Sequence, residues 1–341
     1  MTLSPALHHS SAGTPNAFSF EDIRGLIASD LAAVDQRILS LAEKRAPLIG
    51  TLLHHILSSG GKRLRPMLTL LSAQAFNYKG QYHIDLAASI EFIHTATLLH
   101  DDVVDGSMLR RGKPTANDVW GNKASILVGD FLLSQAFELM VGTGSISVLD
   151  ILSRTSSIIS EGEVLQLSNE RNLRITEDTY IHIITAKTAA LFSAACEVGA
   201  VIANRASHEQ AAMADYGLNL GIAFQIADDT LDYSAEQAKL GKTVGDDFRE
   251  GKVTLPIILA LKQATPTEEL FWHQVITTGE QHQDDLQVAL KLLQEKNIIE
   301  ASLDIAKDYV NKALQSLANM PASPAKDAML LLAQFAVNRA Y

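Results

Sequence analysis

Two acidic clusters of the same pattern are the residues of this chain best suited to chemistry. They are Asp101-Asp102-Val103-Val104-Asp105 and Asp228-Asp229-Thr230-Leu231-Asp232. Each ends a largely apolar stretch, where grouped carboxylates are costly unless positive charge neutralises them. Two such clusters indicate one charged object held between them. Mg²⁺ ions carrying a diphosphate fit best, because Mg²⁺ prefers hard oxygen ligands and commonly bridges carboxylates to phosphates.

The spacing within each cluster gives its members different roles. Residues four apart lie on one helix face, so Asp101 and Asp105 point the same way, as do Asp228 and Asp232. The middle aspartate of each cluster lies about 100° further around the helix and is expected to support or bridge the outward pair. The alternative is two solvated acidic helix ends, which the matched pattern and the neighbouring basic motifs disfavour.

Two basic motifs accompany the clusters. In Gly60-Gly61-Lys62-Arg63-Leu64-Arg65-Pro66, Lys62 and Arg65 share a face if a helix starts there. Glycines allow close backbone approach and a helix N-terminus favours anions, so this segment could cradle a diphosphate. Arg110-Arg111-Gly112-Lys113 directly follows the first cluster, and paired arginines suit bidentate phosphate recognition. For each motif, an ordinary charged surface loop explains the residues about as well as a phosphate-binding site does.

Three further positions are candidates for the same site. Lys187 is isolated in a mostly apolar stretch, so it either snorkels to the surface or reaches into a cavity. The loop from Gly241 to Lys252 could fold its lysines over a phosphate, or it is simply solvated. A lone histidine on an apolar helix is more often a core residue. His94, however, lies two turns before Asp101 on nearly the same face, which favours a role at the site.

Composition excludes several classes of protein. The 341 residues carry a net charge of −11, which disfavours nucleic acid as a partner. A single cysteine excludes an internal disulfide framework and a cysteine-based zinc site. No apolar run reaches the roughly 18–20 residues that span a bilayer, so no transmembrane segment is predicted. Residues 1–19 lack the features of a secretory signal and are expected to form a disordered tail of a cytoplasmic protein.

Apolar periodicity is helical almost throughout, and strand alternation is missing. The predicted fold is therefore all-α, a single large helical bundle with a very hydrophobic centre, formed by residues 20–341. A bundle this apolar commonly buries one face by dimerising. The predicted helices include Phe20–Glu43, Pro47–Ser58, one beginning near Pro66, Gln81–Asp105, Lys123–Val141, Ser147–Asn169, Thr176–Asn204 and His208–Tyr233.

The chain resembles the trans-isoprenyl diphosphate synthases, specifically the long-chain polyprenyl type. The resemblance covers about residues 20–341, and residues 1–19 have no counterpart. The first cluster has two residues between its aspartate pair and its last aspartate, which is similar to the longer-chain type. The matching motifs are residues 60–66, 100–105 with Arg110-Arg111-Gly112, Gly129-Asp130, Lys187-Thr188, Gln225 with 228–232, and Gly241-Lys242 through Lys252.

The resemblance implies an all-α isoprenoid synthase fold around a central hydrophobic cavity, usually as a homodimer. It implies transfer of an allylic group, with farnesyl diphosphate as the expected primer, to isopentenyl diphosphate through an allylic cation. Three Mg²⁺ ions would be held by Asp101, Asp105 and Asp228, with Asp102, Asp229 and Asp232 in support. The allylic diphosphate would contact Arg110, Lys187, Lys242 and Lys252, and isopentenyl diphosphate Lys62, Arg65, His94 and Arg111. Thr188 and Gln225 would complete the catalytic set with Lys187 by stabilising the cation.

The resemblance also bears on product length. The product grows along the helix before the first cluster, and bulky aromatics close that tunnel in short-chain relatives. Here the position five residues before Asp101 is Ala96, which leaves the tunnel open. Met140 or Phe137 would then form a deeper floor. We expect a product longer than farnesyl, with an octaprenyl chain for a quinone side chain as the specific prediction and transient membrane contact during release.

Three other functions compete with this one. A terpene cyclase or head-to-head condensing enzyme shares the fold but usually lacks the second complete aspartate motif. A non-catalytic or partner-dependent subunit of a hetero-oligomeric synthase tends to lose aspartates or basic residues, and both sets are intact here. A helical scaffold with incidental acidic patches does not explain the ordered set of motifs.

Overall fold

Helices dominate the computed structural model, which describes residues 19–43, 46–58, 61–110, 112–234 and 244–338. The first eight helices are α1 Phe20–Leu26, α2 Ala28–Glu43, α3 Pro47–Ser58, α4 Leu64–Ala75, α5 Tyr82–Val104, α6 Ala116–Trp120, α7 Asn122–Gly142 and α8 Ile146–Ser168. Strands β1 Leu109–Arg110 and β2 Lys113–Pro114 pair antiparallel between α5 and α6. Residues 1–18 of the predicted tail lie outside the described residues.

The second half of the described chain is helical as well. Helix α9, Glu177–Ile184, continues through a π-helical segment, Thr185–Ala189, into α10, Ala190–Ile202. The remaining elements are α11 Ser207–Leu231, α12 Asp246–Glu250, α13 Leu255–Lys262, α14 Pro266–Trp272, a second π segment His273–Thr278, α15 Asp285–Glu295, α16 Ile298–Ser316 and α17 Pro324–Asn338. The predicted all-α fold is confirmed.

Two predicted helices differ from the structure in detail. The stretch Phe20–Glu43 is broken at Ile27, whose φ of −121° leaves the helical region while its side chain stays buried. The stretch Thr176–Asn204 contains the π turn, which the pattern of apolar residues does not reveal. Thr176 itself is the N-cap of α9, because its hydroxyl accepts a hydrogen bond from the backbone N–H of Thr179.

The centre of the bundle is built from α5, α7, α10 and α11. Helices α5 and α7 run antiparallel, and buried serine hydroxyls fix their register. Ser89 Oγ donates to Ala136 O at 3.1 Å, and Ser125 Oγ donates to Leu99 O at 3.4 Å. Helices α10 and α11 approach closely at Gly217, where an added Cβ would lie 2.3 Å from Phe192 O. These contacts position the ends of α5 and α11.

Two helical stretches are long and apolar enough to cross a membrane by length and composition. They are Asn122–Gly142 and Glu177–Ile202, and they correct the expectation that no segment of the chain meets this test. In Glu177–Ile202, 72% of the apolar window is buried inside the bundle. Core helices of globular proteins pass the same test, so the observation is weak support for a membrane span.

The close packing of α10 on α11 gives a first prediction. Gly217→Ala forces a methyl group against a backbone oxygen, and we expect it to lower the free energy of unfolding by about 1–3 kcal/mol. Gly25→Ala, in α1 with nothing within 4 Å of the added Cβ, is the matched control and should be neutral or stabilising by about 0.5–1 kcal/mol. Urea unfolding measures both. Equal stability of the two variants would contradict the packing argument.

Candidate active site

The two acidic clusters lie at the C-terminal ends of two central helices. Asp101 and Asp102 are in the last turn of α5, and Asp105 is its C-cap. Asp228 and Asp229 hold the same places in α11, which Asp232 caps. A helix C-terminus already carries partial negative charge, so carboxylates there are unfavourable without nearby cations. Both clusters therefore require positively charged groups nearby.

Two lysines from distant parts of the chain supply this positive charge at the first cluster. Lys187 Nζ lies 2.6 Å from Glu163 Oε2 and 3.5 Å from Asp101 Oδ2. Lys252 Nζ lies 3.0 Å from Asp105 Oδ2, on the outward face of the cluster. Burial disfavours the charged form of Lys252, but Asp105 and neighbouring carboxylates raise its pKa overall. Both ammonium groups are therefore held where an anionic substrate would need them.

The π segment Thr185–Ala189 contacts the first cluster directly and the second through Gln225. Its Lys187 reaches the first cluster, and the hydroxyl of the adjacent Thr188 donates to Gln225 Oε1 at 2.8 Å. Gln225 Nε2 in turn donates to Asp229 Oδ1 at 2.6 Å. Gly162 of α8 allows this turn to pack closely, since an added Cβ would lie 2.8 Å from the Ala186 Cβ. Single π turns within α-helices occur frequently at functional sites.

The middle aspartates are buried and held by protein donors. Asp102 is 4% exposed, accepts a hydrogen bond from Arg110 Nε at 2.8 Å, and forms an ion pair with Arg110 Nη2 at 2.7 Å. Asp229 is 7% exposed and accepts from Tyr180 OH at 2.6 Å as well as from Gln225. Burial raises the pKa of Asp102, and Arg110 opposes that rise. Burial also raises the pKa of Asp229 to about 7 despite its two donors.

Asp232 has a different environment from its counterpart Asp105. Its carboxylate accepts backbone N–H groups of Asp246 at 3.2 Å and Asp247 at 3.0 Å, which open α12. Burial raises the pKa of Asp232, and these hydrogen bonds oppose the rise. Helix α12 leads directly to Lys252, so the segment from 244 to 252 runs from the second cluster to the first. Lys242 lies outside the described residues.

The basic residues assigned to isopentenyl diphosphate lie around the start of α4 and on α5. Lys62 is exposed, with its ammonium 5.1 Å from the Phe335 ring, and the Arg65 guanidinium lies 4.6 Å from the Phe192 ring. His94 is half-buried in α5. Gly60 and Arg111 lie outside the described residues.

A small pocket connects this region to the C-terminal helix. It is lined by Lys62, Leu64, Leu68, Phe192, Leu220, Phe224, Leu332, Phe335 and Ala336.

Sequence patterns did not single out three side chains that support the site. Glu163 binds Lys187, and Tyr180 binds Asp229. Arg63, in the left-handed conformation before α4, pairs with the buried Glu91 of α5 and fixes the basic motif to that helix. Glu91, isolated within the apolar part of α5, was a signal that a cation must approach it.

The candidate chain-length residues line up along the α5–α7 pair. Ala96 is 3% exposed and Met140 is fully buried. The serine contacts place residue 96 opposite about residue 129, so Met140 lies about ten residues further from the aspartates. At 1.5 Å per residue this is about 15 Å along the helix pair. Phe137, packed against the core one turn nearer, is at a depth of about 12 Å.

The donor set fits a divalent cation shared with a phosphate ligand. Outward carboxylates supply the hard oxygens that Mg²⁺ prefers, from both helix ends. Among the described residues, no three acidic, histidine or cysteine side chains converge into a preformed metal cage. Mg²⁺ is commonly held by one or two carboxylates while substrate phosphates and water complete its coordination. The aspartates suit that arrangement.

This fold and site define a class: all-α enzymes with acidic helix ends suited to diphosphate substrates. Residues 46–293 match the polyprenyl synthetase family model, and the chain belongs to that family of prenyltransferases. It is 44% identical to octaprenyl diphosphate synthase of Escherichia coli (strain K12), over 94% of this chain and 99% of that protein.

Two solved structures extend the comparison. A decaprenyl diphosphate synthase from Rhodobacter capsulatus is 47% identical, with a TM-score of 0.91 over 95% of this chain and 100% of that one. A polyprenyl synthase from Caulobacter crescentus CB15, complexed with calcium and isoprenyl diphosphate, is also 47% identical. It has a TM-score of 0.91 over 96% of this chain and 100% of that one.

The raised pKa of Asp229 gives a second prediction. In the unfolded chain this carboxyl ionises near 3.8, whereas the folded protein holds the proton to about 7. Stability of the metal-free protein therefore falls as the pH rises between these values, by at most about 4 kcal/mol from this group. Asp229→Asn removes the ionisation. The free energy of unfolding of the variant minus that of the wild type should therefore be larger at about pH 8 than at about pH 5.

Urea unfolding in a chelator at both pH values measures this effect. Any constant cost of the asparagine cancels when the two pH values are compared. Asp215→Asn, an exposed position on the same helix, is the control and should leave the pH dependence unchanged. An Asp229→Asn curve parallel to that of the wild type would contradict the prediction.

Proposed function

We propose that this chain is a Mg²⁺-dependent trans-polyprenyl diphosphate synthase. It extends an allylic diphosphate, with farnesyl diphosphate as the primer, by successive additions of isopentenyl diphosphate to an octaprenyl product for a quinone side chain. The observation that carries the proposal is the π segment, which places Lys187 at one aspartate cluster and Thr188 beside the other. Membership of the polyprenyl synthetase family supports it independently.

The basic residues bind and orient the allylic diphosphate. Lys187 and Lys252 already lie against the outward carboxylates, so an incoming diphosphate finds fixed donors beside Asp101 and Asp105. Three Mg²⁺ ions, when bound, supply the positive charge that stabilises the departing diphosphate. Asp228 completes the outward set, with Asp102 and Asp232 in support. Arg110 holds Asp102, and the proposal assigns it a diphosphate contact together with Lys242.

The allylic cation forms beside uncharged oxygens and apolar walls. Thr188 and Gln225 present oxygen dipoles that favour positive charge, and neither is a strong nucleophile. The surrounding core excludes water, which would otherwise capture the cation. The double bond of isopentenyl diphosphate then attacks the cation, and a proton leaves to the released diphosphate. Isopentenyl diphosphate is assigned to Lys62, Arg65, His94 and Arg111.

Incubation of the purified chain with Mg²⁺, farnesyl diphosphate and excess isopentenyl diphosphate tests the function. Mass analysis of the dephosphorylated products should show a single long polyprenol. A cyclised hydrocarbon would identify a terpene cyclase and overturn the proposal. Unchanged farnesyl diphosphate across a range of Mg²⁺ concentrations, and with geranyl diphosphate as primer, would favour a subunit that needs a partner.

Product length depends on the wall between α5 and α7. Ala96 leaves the upper tunnel open, and the floor lies near Phe137 and Met140, about 12–15 Å deeper. Relatives named for octaprenyl and decaprenyl products have similar identity to this chain, which supports a long product.

Ala96→Phe should therefore shorten the product. A phenyl ring at this depth blocks the tunnel after few condensations, so the main product from the farnesyl primer should fall to about the geranylgeranyl size. Ala96→Ser keeps a small side chain and should keep the long product. Mass analysis of dephosphorylated products measures both. A long product from Ala96→Phe at normal yield would place the tunnel elsewhere.

The functional protein is a homodimer formed through α7 and α8. These helices expose large apolar side chains: Leu127 is 67% exposed, Val141 62%, Ile146 78% and Val164 65%. Exposed apolar patches of this kind commonly mark protein interfaces. Sedimentation should show a dimer that Leu127→Glu weakens. A monomeric wild type at micromolar concentration would refute this assembly.

A further inference from the structure

Tyr180 stands at the end of a buried hydrogen-bond chain that leads to the proposed reaction centre. Its hydroxyl donates to Asp229 Oδ2 at 2.6 Å, and Asp229 Oδ1 accepts from Gln225 Nε2 at 2.6 Å. Gln225 Oε1 accepts from Thr188 Oγ1 at 2.8 Å. Tyr180 is 3% exposed, and these hydrogen bonds join α9, α11 and the π segment. The tyrosine hydroxyl contacts the site through Asp229.

The hydrogen bonds of this network run in one direction. The nitrogen of the Gln225 carboxamide faces Asp229, so the carboxamide oxygen faces Thr188 and accepts from it. Thr188 has one hydroxyl proton and donates it to that oxygen. Oxygen lone pairs of Thr188, rather than its hydrogen, are therefore left for a positively charged neighbour. Reversing the amide would turn the threonine hydrogen outward instead.

Each oxygen of Asp229 has its own side-chain donor, from two different helical elements. Gln225 lies on the same helix as Asp229, four residues earlier, and cannot alone define the rotation of the carboxylate. Tyr180 approaches from α9 and supplies the second direction. Without it, the carboxylate is free to rotate and the carboxamide loses its fixed partner.

We propose that Tyr180 is a positioning residue for prenyl transfer. Its hydroxyl holds Asp229 in the orientation that leaves the oxygen lone pairs of Gln225 and Thr188 available to the allylic cation. The inference rests on the proposed function, because it assigns these dipoles to a cation. Preorganised dipoles act mainly on the transition state, so their misalignment lowers kcat rather than substrate binding.

Tyr180→Phe tests this role by removing the hydroxyl alone. With farnesyl and isopentenyl diphosphates as substrates, kcat should fall about ten- to a hundredfold. The KM values should stay within about twofold of the wild type. Unchanged kcat, or a loss confined to KM, would overturn the proposal.

Tyr216→Phe is the matched control. Tyr216 lies on α11, is fully buried, and donates its hydroxyl to Met329 O at 2.7 Å. Both variants lose one buried hydrogen bond, and both should show a lower Tm. Only Tyr180→Phe should lose kcat. An equal loss of kcat in Tyr216→Phe would mean that general destabilisation explains the effect.

A double-mutant cycle separates positioning from an independent contribution. If Tyr180 acts through Gln225, adding Tyr180→Phe to Gln225→Ala should change kcat by less than about twofold. The full single-mutant loss in the Gln225→Ala background would contradict the proposal. Crystal structures of the wild type and Tyr180→Phe give a readout without turnover. A rotated Gln225 carboxamide supports the inference, and unchanged Asp229 and Gln225 conformations refute it. Failure of the wild type to transfer prenyl groups would refute the proposed function instead.

Discussion

Concentrated negative charge at two helix C-termini is the constraint on which the rest of this structure depends. Each cluster adds carboxylates to the negative end of a helix dipole, and both helices bury many of their apolar residues in the core. Positive groups must therefore come from elsewhere in the chain. Lys187 arrives from a π turn, Lys252 from the segment after α12, and Arg110 from a hairpin. The path of the polypeptide around the site follows from this requirement.

Burial then divides each cluster into two kinds of carboxylate. Asp102 and Asp229 face the protein, where side-chain donors satisfy them and where burial raises their pKa. Asp101 and Asp105 face outward, and their partners are flexible lysines that can be shared with a diphosphate. A fixed inner carboxylate and an exchangeable outer one are what a metal–diphosphate site requires, because only the outer layer must reorganise when substrate enters.

The sequence was sufficient for the helical fold, for the two clusters and for three basic residues beside the first cluster, Arg110, Lys187 and Lys252. Apolar periodicity identified the long helices, and the spacing of four residues separated Asp101 and Asp105 from the buried Asp102. The spacing did not predict that backbone N–H groups of α12 hold Asp232. The sequence could not locate the break at Ile27 or the π turn at Lys187, because apolar residues continue on both sides of each. It also could not identify Tyr180 or Glu163, since their roles arise only when separate helices bring them to Asp229 and Lys187.

Charge and metal binding do not determine how long the product becomes. The octaprenyl and decaprenyl relatives have nearly the same identity to this chain, so membership of the family leaves the length open. In the proposed function the aspartates determine where condensation occurs, and the register of α5 against α7 determines how far the proposed tunnel extends from that point. Ser89 and Ser125 fix this register through buried hydrogen bonds to the facing helix. A one-turn shift of α7 would move Met140 by about 5 Å relative to Ala96 without changing any residue at the reaction centre. In the proposed function, product length is thus a property of helix packing and can change while the residues at the reaction centre stay the same.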